Sequence, residues 1–358
     1  MTKPEVRSPK SEGPVVHPPF VVGDIVDPRI VMGHGAGGRK MHRLIRNVFV
    51  RNFGSPALRK LADAAVLPEL RGKLVMTTDS YVVQPLFFPG GDIGKLAVCG
   101  TVNDLAVMGA KPRYISVAFV LREGLEVAKL EAVCRSVAAA SRKAGVQVVT
   151  GDTKVIERGE DEELYVNTTG VGTLLPRAQL GPERVKPGDA ILINGPIGEH
   201  EAAIAVARGA YRFKGKAESD CAALDSLILP LLAKPGVKLM RDPTRGGLAT
   251  TLNEFAEATG LGFIIDEVAL PVSTRVRAVA ELLGQDPLYM ANEGKVVMVA
   301  DPKARPRLLA KMRGHRLGRQ AAVIGEVAKK PEGVWLRTRL GSLRHLIMLE
   351  GEQLPRIC

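Results

Sequence analysis

Apolar runs broken by glycines and charged turns divide the chain into a recurring succession of strands and helices. After "DPRIVMGHGAGG", the stretch "RKMHRLIRNVFVRNFG" predicts a helix ended by Gly54, and "KLVMTTD" predicts a strand ending on Asp79. "GDIGKLAVCGTVNDLAVMGA" predicts a helix that stops at Gly109, and "RYISVAFVL" a strand. "EVAKLEAVCRSVAAASRKAG" predicts a second long helix with Gly145 as its C-terminal stop. "VQVVTGD" predicts a short buried strand ending on Asp152, and "ELYVNTTGVGTL" another.

The stretch "GPERVKPGD" (181–189) has the composition of a linker, and the pattern begins again after it. "AILING" predicts a strand, "GEHEAAIAVARG" a helix and "CAALDSLILPLLAK" a further helix. "RDPTRGGLATTLNEFAEATG" is a glycine-rich turn feeding a helix, and "GFIIDEV", "KVVMVA" and "AAVIGEV" supply more strands. The expected fold class is α/β with mixed sheets, in two domains at 25–182 and 183–340. An N-terminal extension (1–24), rich in Pro, Lys, Ser and Glu, reads as disordered, and a tail (341–358) follows the second domain.

Length supports two cores, since 358 residues exceed one ordinary domain. A 46% hydrophobic and 25% charged composition is that of a globular protein, which sets aside fibrous and disordered classes. The excess of 50 basic over 38 acidic residues favours acidic ligands such as phosphates. The four cysteines form no CxxC pair, so neither a zinc cage nor a disulfide framework is suggested. Cys99, Cys134 and Cys221 lie in apolar surroundings and read as small buried hydrophobes, whereas Cys358 ends the exposed stretch "GEQLPRIC". Without an apolar signal segment or a run of membrane-spanning length, a reduced, cytoplasmic protein is expected, with no membrane partner.

The candidate chemistry starts with "GHGAGG" (Gly33 to Gly38). It satisfies GxGxxG but lacks the following Lys-Ser/Thr of a Walker loop and the later acid of a dinucleotide fingerprint. Its free backbone N–H groups, with Arg39 and Lys40 beside them and His34 as a further donor, suit phosphate oxygens, although a plain flexible turn reads equally well. Asp79 and Asp152 end predicted strands, and Asp104 falls on a helix face meant for burial. Three such acids near a glycine loop favour magnesium holding nucleotide phosphates over three unrelated structural carboxylates. Lys154, two residues after Asp152, shares its side of an extended segment, and Lys95 opens the helix bearing Asp104. Asp242 and Arg245 precede a helix N-terminus, and Glu293 sits in a polar break before a strand. The basic run 303–319 has helical apolar spacing and no interleaved aromatics, so a solvated or protein-docking face is expected and no nucleic acid.

Taken together, "HGAGG", "TTDSYVVQPLFFPGGDIGKLAVCGTVNDLAVMGAKP", "TGDTKV", "RDPTRGG", "ANEGK" and "PRIC" resemble the HypE family of [NiFe]-hydrogenase maturation proteins. That family belongs to the aminoimidazole ribonucleotide synthetase and selenophosphate synthetase (PurM-like) superfamily. The resemblance covers residues 25–358. It implies that Cys358 accepts a carbamoyl group from a HypF-type carbamoyltransferase, that ATP drives its dehydration to a thiocyanate, and that the cyano group passes to iron on a HypC–HypD complex. It further implies ATP phosphates under the loop His34, Gly35, Gly37 and Gly38, with Lys95, Asp242 and Arg245 nearby. Mg2+ would lie on Asp79, Asp104 and Asp152. Lys154 and Glu293 would remove protons from the carbamoyl nitrogen, and ATP sites would form along a homodimer interface. Two other readings remain: a superfamily kinase or synthetase of the selenophosphate type, and a non-catalytic thiol-bearing scaffold. The first has no use for a terminal thiol, and the second predicts no nucleotide binding.

Overall fold

The computed structural model describes residues 27–349, apart from 160–161 and 210–216, together with Gly351. In the first half, a helix begins as α1 (Arg39–Leu44), passes through a π-helical stretch (Ile45–Val50) and ends as α2 (Arg51–Phe53). α3 (Pro56–Arg59) follows, capped by the Ser55 hydroxyl, which accepts the Leu58 N–H. Then come β1 (Leu74–Tyr81), β2 (Phe87–Phe88), β3 (Gly91–Asp92), α4 (Ile93–Val107), β4 (Ala110–Arg122), α5 (Val127–Ala144), β5 (Gln147–Ile156) and β6 (Leu164–Leu174). The sheet order is β1-β6-β4-β5, with only β4 and β5 parallel, joined by the α5 crossover.

Alternation along β4 sets the two faces of this sheet. Ile115, Val117, Phe119 and Leu121 are buried with α4 and α5 in one core, while Tyr114, Ser116, Ala118 and Val120 are only partly covered. On the same open face β1 exposes Leu74 and Met76, at 60% and 70%. α4 is buried almost throughout, and its first turn is capped by Asp92, which accepts the N–H groups of Gly94 and Lys95.

The second half contains β7 (Ala190–Ile193), α6 (Glu199–Ala207), α7 (Asp225–Leu231), β8 (Val237–Arg241), α8 (Gly247–Thr259), β9 (Gly262–Asp266) and α9 (Thr274–Leu283). It is completed by β10 (Val297–Ala300), α10 (Arg305–Arg313), β11 (Ala322–Ala328), β12 (Gly333–Arg337) and β13 (Leu343–Leu346). These strands form one mixed sheet, β13-β12-β9-β11-β7-β10-β8. β7 reads as a continuous apolar run because both its faces are covered. Ile191 and Ile193 pack with α8, and Ala190 and Leu192 pack with α7 and α10. The latter core also takes in Ala106 and Val107 of α4, so apolar packing is shared between the halves.

Several expectations change. Neither of the strands expected to stop at an aspartate does so: β1 runs past Asp79 to Tyr81 and β5 past Asp152 to Ile156. The segment 181–189 is not a loose linker: Lys238 bonds both carboxylate oxygens of buried Asp189, and Gly181 N–H donates to Lys238 O. The helix expected from Cys221 begins only at Asp225, because the preceding backbone bonds elsewhere. Ser219 N–H donates to Pro89 O, Ala222 N–H to Glu293 O and Leu224 N–H to the Asn103 side chain. Residues 217–224 thus form a strap across the joint between the halves.

Gly90 faces this strap with φ +94°, and a Cβ there would lie 2.6 Å from Ser219 O. Gly90→Ala is therefore expected to lower stability by about 2–3 kcal/mol, read as a shift of the urea midpoint. An unchanged midpoint would show that the strap yields freely.

Candidate active site

The joint collects carboxylates. β1 delivers Asp79, α4 delivers Asp104, the loop after β8 delivers Asp242, and the loop before β10 delivers Glu293. Thr77 on β1 donates to Asp104 Oδ2 at 2.7 Å, fixing that carboxylate against the strand. Burial pushes the Asp104 carboxyl above its usual range, and the negative charge of Asp79 adds to this. Burial raises Asp242 further, to about 7, with Asp104 the next cause. Glu293, only 4% exposed, is raised well above the ordinary range by burial first and then by the charges of Asp220, Asp242 and Asp79.

Beside them lies a buried ion pair. Lys295 Nζ donates to Asp220 at 2.7 Å, and the same carboxylate accepts the N–H groups of Glu293 at 3.1 Å and Gly294 at 3.2 Å. Burial opposes the charged form of Asp220, but Lys295 outweighs it and holds the carboxyl below its usual range. Asn292 completes the loop, with its side chain accepting Gly198 N–H and donating to Pro243 O and Met290 O. Arg245 and Gly246 lead into α8 from the loop that carries Asp242.

A second group sits at the far edge of the first sheet. The glycine loop rests on β5, where a Cβ at Gly35 would touch Val155 at 3.0 Å. His34 is buried, and its Nδ1 accepts the Val31 N–H at 3.0 Å, so its proton lies on Nε2, 3.9 Å from Asp27. Burial lowers its pKa, so neutral imidazole braces the base of the loop. Gly37 N–H meets Met41 Sδ at 3.3 Å. Asp152 and Lys154 are exposed and pair with Ala118 and Val120, on the open face.

One chain therefore brings together Asp79, Asp104, Asp242 and Glu293, while Gly35 and the pair Asp152 and Lys154 lie along β5 at the other edge of the sheet. Three strand spacings, about 14 Å, separate β1 from β5. Among the described residues no three His, Cys, Asp or Glu side chains converge as a metal-holding group. Lys95 donates to Gly90 O and so belongs to the turn before α4. Cys358 lies outside the described residues.

The matches to known proteins span both halves. Residues 61–174 match the N-terminal domain of AIR synthase related proteins, and residues 186–336 match the C-terminal domain of that family. The carbamoyl dehydratase HypE of Cupriavidus necator is 50% identical over 333 residues, covering 92% of this chain and 95% of that protein. The chain belongs to the HypE family. This is an enzyme family, and its fold is PurM-like. A HypE crystal structure in complex with ATP superposes with a TM-score of 0.88 at 46% identity, covering 92% of this chain and 99% of that one. A HypE–HypF complex gives a TM-score of 0.75 at 43% identity, covering 86% and 99%. No helix among the described residues is long and apolar enough to cross a membrane.

Within this HypE-family site, sequence reasoning missed Thr77, Asp220, Asn292 and Lys295. The one available signal was the pair of charges in "NEGK", whose lysine bonds a distant aspartate rather than its neighbour Glu293. A raised carboxyl favours the fold while protonated and is lost as an asset when pH climbs through the raised pKa. Glu293→Gln should therefore melt above the parent protein, with the gap widening towards alkaline pH at no more than about 1.4 kcal/mol per pH unit. A pH-independent gap in thermal midpoints would refute the burial of a titrating group there.

Proposed function

We propose that this protein carries out ATP-dependent dehydration of a carbamoyl group held on its own Cys358, yielding a thiocyanate for the iron of a hydrogenase. The observation that carries the reading is Glu293, a dry carboxyl of raised proton affinity set beside Asp79, Asp104 and Asp242. Family membership supplies the reaction class.

The chemistry balances in two steps. The carbamoyl oxygen attacks the γ-phosphorus of ATP, ADP leaves, and one N–H proton is lost, giving an S-bound phosphoryl imidate. Loss of the second N–H proton with C–O cleavage then releases phosphate and leaves S–C≡N. Glu293 is the acceptor for the nitrogen protons, since a carboxylate that binds its proton tightly is a strong base once ionised. Lys154 steadies the charge that develops, and the glycine loop, Lys95, Asp242 and Arg245 surround the nucleotide phosphates. Mg2+ fits Asp79 and Asp104, whose crowded negative charge suits an open two-carboxylate site, and when bound with ATP it neutralises phosphate charge.

Asp152 and Lys154 join this site through a second copy. β1 and β5 are the two edges of the first sheet, and the open face between them is apolar at Leu74 and Met76. A two-fold pairing that sets β5 of one copy beside β1 of the other brings both groups together twice. We assign the division of labour as 25–182 for most nucleotide and the dimer contacts, 183–340 for Glu293 with Asp242 and Arg245, and 341–358 as the delivery arm. Its last eight residues span roughly 26 Å when extended. A HypF-type carbamoyltransferase loads the thiol, as the relative's HypE–HypF complex suggests, and a HypC–HypD complex receives the cyano group.

Intact mass after incubation with carbamoyl phosphate, the carbamoyltransferase and ATP should show a carbamoyl adduct that then loses water, both in the last peptide. Cys358→Ala should show neither while still binding ATP, and an adduct persisting elsewhere would sink the carrier role. Mixing Asp79→Asn with Asp152→Asn protein should restore about a quarter of parent turnover, because half the dimers regain one intact site. Turnover that stays at zero would place the full site within one chain.

A further inference from the structure

The strap 217–224 makes contacts that neither sheet requires. On one side it is bonded to the first half. Ser219 N–H donates to Pro89 O at 2.8 Å, and Asn103 on α4 both donates to Ala222 O at 3.2 Å and accepts Leu224 N–H at 2.8 Å. The buried Cys221 thiol also lies beside that of Cys99 on α4. On the other side it holds Glu293 at both backbone groups. Asp220 accepts the Glu293 N–H, and Ala222 N–H donates to Glu293 O at 3.2 Å. Gly294 lies so close that a Cβ there would sit 1.9 Å from Asp220 O.

We propose that the strap is the device that positions Glu293 against the nucleotide half, with Asp220 as its positioning residue and Asn103 as its anchor. The inference rests on reading Glu293 as the proton acceptor. Its geometric core is a short route: Asn103 is the immediate neighbour of Asp104, and the strap carries that registration to the backbone of Glu293. The Asp220–Lys295 pair, 6% and 8% exposed, is a poor way to gain stability, because both charges lose their water. A fixed, directional clamp on three successive residues is what it supplies instead. The opposite side of the same loop is bonded to the second half through Asn292, so Glu293 is set between the two halves.

The test uses full-length protein carbamoylated on Cys358, with dehydration followed by intact mass across a range of ATP concentrations. Asp220→Asn and Asn103→Ala should each lower kcat by about 10–100-fold while the KM for ATP stays within about twofold, the pattern of a displaced reacting group. Asn103→Ala leaves the Asp220–Lys295 pair untouched, so its loss of kcat isolates the anchor. Unchanged kcat in both folded variants, alongside an inactive Glu293→Gln, overturns the strap and leaves the base reading standing. A parallel loss of kcat, ATP affinity and thermal midpoint also overturns it, since that describes general support. Full turnover in Glu293→Gln removes the base reading and this inference with it. If neither variant folds, amide exchange on the parent protein decides. Glu293 and Gly294 amides protected as strongly as α4 support the clamp, and exchange at surface-loop rates overturns it.

Discussion

Crowding carboxylates into a partly dry joint is the constraint from which the rest of this structure follows. Asp104, Asp242 and Glu293 lie near one another and near Asp79, and removal from water adds to the cost of charge on those first three. Left alone, loops bearing such groups would swing outward to solvent. They are held inward by elements that carry no chemistry: a threonine on the neighbouring strand, an asparagine binding three loops, and an aspartate–lysine pair under the backbone. The architecture around the joint is best understood as restraint against electrostatic escape.

Much of the fold was readable from the chain because strands with a covered face alternate and helices end on glycine. β4 and α5 followed the expected periodicity, and Gly145 closes α5 in the left-handed conformation expected of it. The strap was misread for a physical reason. "CAALDSLILPLLAK" has helical spacing throughout, but its first four residues lie against α4 and the Glu293 loop, where tertiary hydrogen bonds outcompete the helix. The segment 181–189 was misread in a similar way, since glycine and proline announce a turn without saying that a lysine will fasten its buried aspartate.

The site was half readable. Acids on predicted strands and on a burying helix face were visible one at a time, and the raised proton affinity of Asp104 on that helix follows from burial. What the chain could not display is partition. Asp152 and Lys154 look contiguous with the other motifs in sequence, yet sheet order sends them to the opposite edge. Pairing of distant charges is equally invisible in one dimension, which is why nothing in the chain announces that Lys295 pairs with Asp220.

The apolar core that receives Ala106 and Val107 from α4 also contains residues of α7, β8 and α10. The two matched domains meet in this chain between residues 174 and 186, but among the described residues this core crosses that boundary. Cutting between the matched regions would uncover Ala106 and Val107 at the end of α4 and remove the wall of α4 against which residues 221–224 lie. The matched domains and the packed cores therefore have different boundaries, because one core draws side chains from both matched regions.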